Sequence, residues 1–253
     1  MRLSILKIRS AQILVVLCMV FAGHVPADEI RIAVASNFSS TIKEIKKQFE
    51  LSSGHKVILS FGSTGKHFAQ ITNGAPFEAF FAADVARPKL LEEQGMVQSG
   101  SRFTYAIGKV VLWSPDPAMV DKEGSVLIQS NFRHLSIANP KLAPYGMAAE
   151  QIMKAKSVWD RLQGKLVRGE NINQAYNFVK SGNAEAGFIA LSQIIQPNNV
   201  IHGSYWIPPQ LLYAPIEQQA VLLRDNTVAR EFLEFVKSEK MKKIIKDSGY
   251  DTP

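Results

Sequence analysis

Strand-like and helix-like stretches alternate along most of the chain. Ile30, Ile32 and Val34 alternate with Arg31 and Ala33, which predicts a short strand running into Ser36-Asn37. Ile42, Ile45 and Phe49 then recur at helical spacing, with Lys43, Glu44, Lys46 and Lys47 on the opposite side and Gly54 at the end. Lys56 to Phe61 predicts a second strand. The loop Gly62-Ser63-Thr64-Gly65 opens a helix carrying Phe68 and Ile71, which stops at Asn73-Gly74. Phe77 to Ala83 predicts a third strand, closed by Asp84, and a helix follows around Lys89 to Gly95. This βαβα order implies a mostly parallel sheet covered by helices on both faces.

A second round begins near Gly108. Val110 to Trp113 forms an apolar strand, and Leu135 to Ala138 another that breaks at Asn139-Pro140. Ala143-Pro144-Tyr145-Gly146 opens a helix through Ala149, Ile152 and Met153. Leu166-Val167 predicts a strand, Asn171 to Val179 a helix ended by Gly182, and Gly187 to Leu191 a strand. After a Pro- and Asn-bearing stretch from Pro197 to Pro215, a strand around Gln219 to Leu223 precedes helices over Val228 to Phe235 and Met241 to Ile245. Two α/β lobes of about a hundred residues each fit this pattern better than one domain.

The first 27 residues stand apart from that pattern. Arg2, Lys7 and Arg9 precede the apolar run Ile13 to Ala22, and Val25-Pro26-Ala27 forms a cleavage site before Asp28. That is the layout of a secretory signal peptide, with an apolar run short for a membrane span. The predicted mature chain keeps 26 basic and 22 acidic residues, so the formal charge falls from +7 to +4. Cys18, the only cysteine, leaves with the leader, which excludes a disulfide framework, a thiolate zinc site and a cysteine nucleophile. A charge of +4 without a basic block argues against a nucleic-acid partner.

Catalytic motifs are largely missing. His24, His55, His67, His134 and His202 show no metal-ligand spacing, and there is no G-x-S-x-G nucleophile elbow. Gly62-Ser63-Thr64-Gly65-Lys66 resembles part of a P-loop, but Ser60 stands where its first glycine belongs and His67 where its Ser or Thr belongs. Asp84 and Glu170 are isolated carboxylates, for which capping or ion pairing is the ordinary role. Four loops remain: Ser36-Asn37, Ser63-Thr64-Gly65, Ala143-Pro144-Tyr145-Gly146 and Glu170-Asn171-Ile172-Asn173. Each follows a strand and opens a helix, where backbone N–H groups lack intrahelical partners and the helix dipole is positive. Any one such loop is usually mere capping. Several converging on one cleft would make an anion site without Arg or Lys. From pattern alone, the chain is an exported two-lobed α/β protein with loops suited to a small anion.

These segments together resemble the periplasmic molybdate-binding proteins that serve ABC transporters. The resemblance runs from about Glu29 to Gly249. It rests on Ala33-Val34-Ala35-Ser36-Asn37-Phe38, Ser60-Phe61-Gly62-Ser63-Thr64-Gly65, Phe80-Phe81-Ala82-Ala83-Asp84, Ser101 to Lys109, Asn139-Pro140, Ala143 to Gly146 and Gly187 to Leu191. It implies the two-lobed, periplasmic-binding-protein-like class II fold, each lobe a mostly parallel sheet flanked by helices, with a hinge between lobes. Residues 28–107 plus about 216–253 would form lobe 1, and about 108–215 lobe 2. It further implies capture of molybdate, with tungstate, and delivery to an inner-membrane permease by a periplasmic monomer that has no cofactor and is not an enzyme.

The family's ligand contacts fall on Ser36 with Asn37 beside it, Thr64 with Ser63 adjacent, and the N–H groups of Tyr145 and Ile172. Molybdenum would be held only as its oxyanion, through these residues. Two positions depart from the family. Ala190 stands where some members carry a tyrosine hydroxyl, so a further donor would come from the Tyr145 hydroxyl or the Asn37 side chain, and Ala83 replaces a serine and is structural. The competing expectations are another oxyanion such as sulfate or phosphate, a ferric ion, a periplasmic hydrolase using Ser36 or Ser63, and a sensor that docks on a receptor.

Overall fold

The computed structural model describes residues 28–196 and 200–253; the expected signal peptide at residues 1–27 lies outside the described residues. Among the described residues, ten strands form two five-stranded sheets. The first contains β1 (Glu29–Ala35), β2 (Lys56–Gly62), β3 (Ala79–Phe81), β4 (Phe103–Gly108) and β10 (Ile216–Leu222), in the order β2-β1-β3-β10-β4. The second contains β5 (Val110–Ser114), β6 (Leu135–Ala138), β7 (Leu166–Gly169), β8 (Ala186–Ala190) and β9 (Ser204–Trp206), in the order β7-β6-β8-β5-β9. In each sheet one strand opposes the rest. β10 is antiparallel to β3 and β4, and β5 is antiparallel to β8 and β9. Each reversed strand is the one the chain enters on crossing from the other sheet. β5 starts two residues after β4 ends, and β10 follows the segment that leaves β9. The sheets are therefore mixed, and across both the order is second, first, third, crossing and last strand.

Helices α1 (Ser39–Ser53), α2 (Thr64–Thr72) and α3 (Ala86–Glu93) join the first strands of sheet one. Sheet two carries the short α4 (Val126–Gln129), α5 (Pro144–Ala155), the short α6 (Trp159–Leu162) and α7 (Ile172–Lys180), and α8 (Thr227–Lys237) and α9 (Glu239–Asp247) return to sheet one. Among the described residues no helix is long and apolar enough to cross a membrane. The amphipathic spacing translates directly into burial: α1 inserts Ile42, Ile45 and Phe49, and α8 inserts Val228, Phe232, Leu233 and Val236. Burying each such side chain contributes roughly 1.5–3 kcal/mol.

Several boundaries differ from the expectation for identifiable reasons. The third strand shrinks to Ala79–Phe81, the three residues in register with Ile32 to Val34 of β1. The next helix starts at Ala86 rather than near Lys89, because the Asp84 carboxylate accepts the Arg87 N–H at 3.0 Å and caps an earlier turn. β4 and β9 are additions. Phe103–Gly108 buries Tyr105 and Ala106 in succession, so it lacks the alternation that signals a strand.

Candidate oxyanion site

The six residues Ser36, Asn37, Ser63, Thr64, Tyr145 and Ile172 line one small cavity between the two sheets, together with Ala35, Gly62, Ala83, Ala143, Pro144 and Asn171. No charged side chain is among these lining residues. Ser36, Ser63, Thr64, Tyr145 and Ile172 are all at most 3 % exposed, so the cleft is closed around the cavity.

Four loops build it, each for a local reason. β1 ends in a 3-10 turn, Ser36–Phe38, whose last residue plunges into the core of lobe 1: the Phe38 ring lies 4.7 Å from Tyr105 and 5.5 Å from Tyr250. That anchor fixes Ser36 and Asn37 at the cavity edge. On α2, the N-cap Ser63 accepts the Lys66 N–H at 3.3 Å, and Thr64 Oγ1 accepts the Ala83 N–H at 3.0 Å. Each hydroxyl thus has a backbone donor on its oxygen and its own hydrogen free to donate. Gly65 N–H is taken by the Leu142 carbonyl at 2.8 Å, which leaves Thr64 N–H, on a residue lining the cavity, as a first-turn donor without an acceptor among the described residues.

The second half of the cavity uses two different devices to expose one N–H each. α5 has Pro144 in its first turn, which carries no N–H, while Gly146 and Met147 both donate to the Ala143 carbonyl. Tyr145 N–H is the group left over. In α7 the N-cap Asn171 accepts from Asn173 and Gln174 at 3.0 and 3.1 Å, and Ala175 donates to the Asn171 carbonyl, so Ile172 N–H remains. Helix N-termini supply partial positive charge as well as donors, which compensates for the lack of a cationic side chain.

The two candidates for a further donor point elsewhere. Asn37 Nδ2 donates to Gln218 Oε1 at 2.7 Å and to the Tyr250 hydroxyl at 3.2 Å, and the Tyr145 hydroxyl receives Gln218 Nε2 at 3.3 Å. Both side chains belong to a polar cluster behind the cavity. Burial pushes the hydroxyls of Tyr105, Tyr145 and Tyr250 well above the ordinary phenol range, so all three are neutral. Ala190 is fully buried in the core of sheet two. Ala83 acts through its backbone, as the donor that orients Thr64.

A hydrolase would need a base at Ser36 or Ser63, and the cavity lining includes neither His nor carboxylate. His67, four residues from Ser63, is buried with Nδ1 3.0 Å from Gln70 Oε1, and burial lowers its pKa. Among the described residues no three His, Cys, Asp or Glu side chains cluster in a way that could hold a metal ion. Gln218, Tyr250 and Ser192, which bond Asn37, and Tyr105, which bonds Gln218, carry no sequence signal that links them; Gln218 sits in the run Glu217-Gln218-Gln219 of β10.

Comparison with known proteins identifies the family and the fold. The model of the bacterial extracellular solute-binding protein family matches residues 30–251. The chain is 50% identical over 227 residues to the molybdate-binding protein ModA of Azotobacter vinelandii, covering 88% of this chain and 90% of that protein. It is 45% identical over 248 residues to the molybdate-binding protein ModA of Rhodobacter capsulatus, covering 97% of each. The solved structure of the Azotobacter vinelandii periplasmic molybdate-binding protein superposes with a TM-score of 0.86 at 43% identity, covering 88% of this chain and 99% of that one.

Proposed function

The chain belongs to the bacterial extracellular solute-binding protein family, and we propose that it captures molybdate, with tungstate, between its lobes for delivery to an ABC permease. In this reading residues 1–27 are a cleaved leader that exports the chain to the periplasm. Residues 28–107 with about 216–253 form lobe 1, and about 108–215 form lobe 2. Ser36, Asn37, Ser63, Thr64, Tyr145 and Ile172 form the oxyanion site.

The observation that carries the proposal is the state of the polar groups at the cavity. The side-chain oxygens of Ser63, Thr64 and Asn171 are each engaged by backbone N–H groups, so what the loops leave free are donors. Molybdate and tungstate are dianions without protons near neutral pH, and their oxygens only accept. A protonated phosphate would aim its O–H at one of these donors and leave it unpaired, at a cost of about 1–3 kcal/mol. Sulfate matches the charge but has shorter bonds, so a rigid cage sized for the larger anion would stretch its hydrogen bonds. Charge-assisted bonds contribute about 1.5–3 kcal/mol each, and ordering costs reduce the sum. The expected net is about −8 to −12 kcal/mol, micromolar to nanomolar affinity.

Calorimetric titration of the mature protein with molybdate, tungstate, sulfate and phosphate tests this. Molybdate and tungstate should bind in that range and the other two far more weakly. No heat with molybdate, beside a clear signal for sulfate or phosphate, overturns the ligand assignment.

A further inference from the structure

Behind the cavity, a buried amide bridges the seam between the lobes. Gln218 on β10 is fully buried. Its Oε1 accepts Asn37 Nδ2 at 2.7 Å and lies 3.0 Å from the Tyr105 hydroxyl, while its Nε2 donates to the Tyr145 hydroxyl at 3.3 Å. Asn37 belongs to the first-lobe anion loop and Tyr145 to the second-lobe loop, so one side chain touches both halves of the cavity. Gly108, which pairs with Ile216 where the chain crosses between sheets, makes room for this contact. A Cβ at Gly108 would lie 2.2 Å from the Tyr145 hydroxyl oxygen and 2.6 Å from Gln218 Nε2. Its backbone is outside the left-handed region, so space, not conformation, excludes a side chain there.

The geometry points to Gln218 as a positioning residue that locks Tyr145 against Asn37 when the lobes close, with Gly108 holding the seat for the Tyr145 hydroxyl. The inference rests on the oxyanion reading of the site. Tyr145 has two functions at two ends. Its N–H, left without an acceptor in the first turn of α5, belongs to a residue that lines the cavity, and its hydroxyl reaches β10 of sheet one. Holding the hydroxyl fixes the first turn of α5 relative to lobe 1, and so fixes the N–H relative to Ser36 and Thr64. When the lobes part, Tyr145 leaves and both polar groups turn to water. The contact therefore belongs to the closed state, and it slows release more than it speeds capture.

Tyr145→Phe removes the hydroxyl and keeps the N–H. Stopped-flow measurements with molybdate should give a dissociation rate about fivefold or more above wild type, with the association rate within about twofold. Gly108→Ala, which displaces the hydroxyl without deleting it, should do the same. In the double variant the 2.2 Å contact with the hydroxyl is gone, while those of 2.6 Å to Gln218 Nε2 and 2.9 Å to the ring Cζ stay, so part of the Gly108→Ala effect is relieved and release should be slower than the product of the two single effects. A purely structural role would lower the melting temperature and leave the release rate alone. Wild-type release rates in both single variants, or independent multiplication in the double variant, overturn the coupling alone. Wild-type protein without any molybdate signal overturns the ligand reading and the coupling with it.

Discussion

Ser36 and Thr64 offer the same hydroxyl in different circumstances. Thr64 Oγ1 carries the Ala83 N–H, whereas no hydrogen bond to the Ser36 hydroxyl is present among the described residues. Replacing either by Ala removes one donor to the anion and should weaken molybdate binding at least tenfold, about 1.4 kcal/mol. The two variants should differ in stability. Thr64→Ala also strands a buried backbone N–H, costing about 1–3 kcal/mol, while Ser36→Ala should unfold near the wild-type temperature. Calorimetry and thermal unfolding on the two proteins check both parts, and unchanged affinity in both variants would refute the site map. The hydroxyls themselves are legible in the sequence, as small polar residues ahead of a helix. Their donor state is not, because Ala83 is 19 residues from Thr64 and no local pattern connects them.

At the scale of the element, the loops are legible because helix starts have chemical signatures. Pro144 and Asn171 announce α5 and α7: Pro144 lacks an N–H and Ala143 accepts the next two beyond Tyr145, while Asn171 itself accepts those beyond Ile172, so one first-turn N–H remains in each. β4 escapes because its burial follows neighbours on both faces, and Gln218 escapes because nothing in the run Glu217-Gln218-Gln219 tells which side chain is buried or what it meets. α2 carries a pH-sensitive group. His67 is buried under the Gly62 turn, with its ring packed edge-on against Phe77 and Phe80. Desolvation, the largest cause, lowers its pKa from the ordinary 6.5, with Lys66 adding to the shift and Gln70, Val34 and Glu170 opposing it. A depressed value means the folded protein prefers the neutral ring. That stability is fully present above 6.5 and is lost as pH falls through the folded value. The melting temperature should drop on going from about pH 7.5 to about pH 5.5, and His67→Gln should flatten the slope over that window. An equal slope in the variant would assign the acid sensitivity to other groups.

For the whole molecule, the question is what holds the lobes shut once an anion is in place. The alternation of strands and helices reveals two lobes, but the seam between them joins residues such as Arg87 with Lys141 and Lys66 with Glu170, 54 and 104 positions apart, and leaves no trace in local pattern. Among the contacts that span the mouth, three lie beside the α2 loop. Gly65 N–H meets the Leu142 carbonyl at 2.8 Å, Arg87 Nη2 meets the Lys141 carbonyl at 3.0 Å, and Lys66 Nζ meets Glu170 Oε2 at 3.0 Å. The ion pair is the most visible of them and should matter least. Both partners are at least a third exposed, and such pairs contribute about 0–1 kcal/mol. The glycine contact is one of backbone against backbone. A Cβ at Gly65 would lie 3.1 Å from both Cα and O of Leu142, atoms that cannot swing aside as a side-chain end can. Closing over that contact requires the lobes to stand off by a few tenths of an ångström, which stretches the donors from Tyr145 and Ile172 together. Glu170→Gln should therefore change molybdate affinity by less than about threefold, whereas Gly65→Ala should weaken it about tenfold or more. Small-angle scattering of the Gly65 variant at saturating molybdate should give a larger radius than liganded wild type. If the ranking reverses, the mouth is closed by charge and not by the close approach of the two backbones.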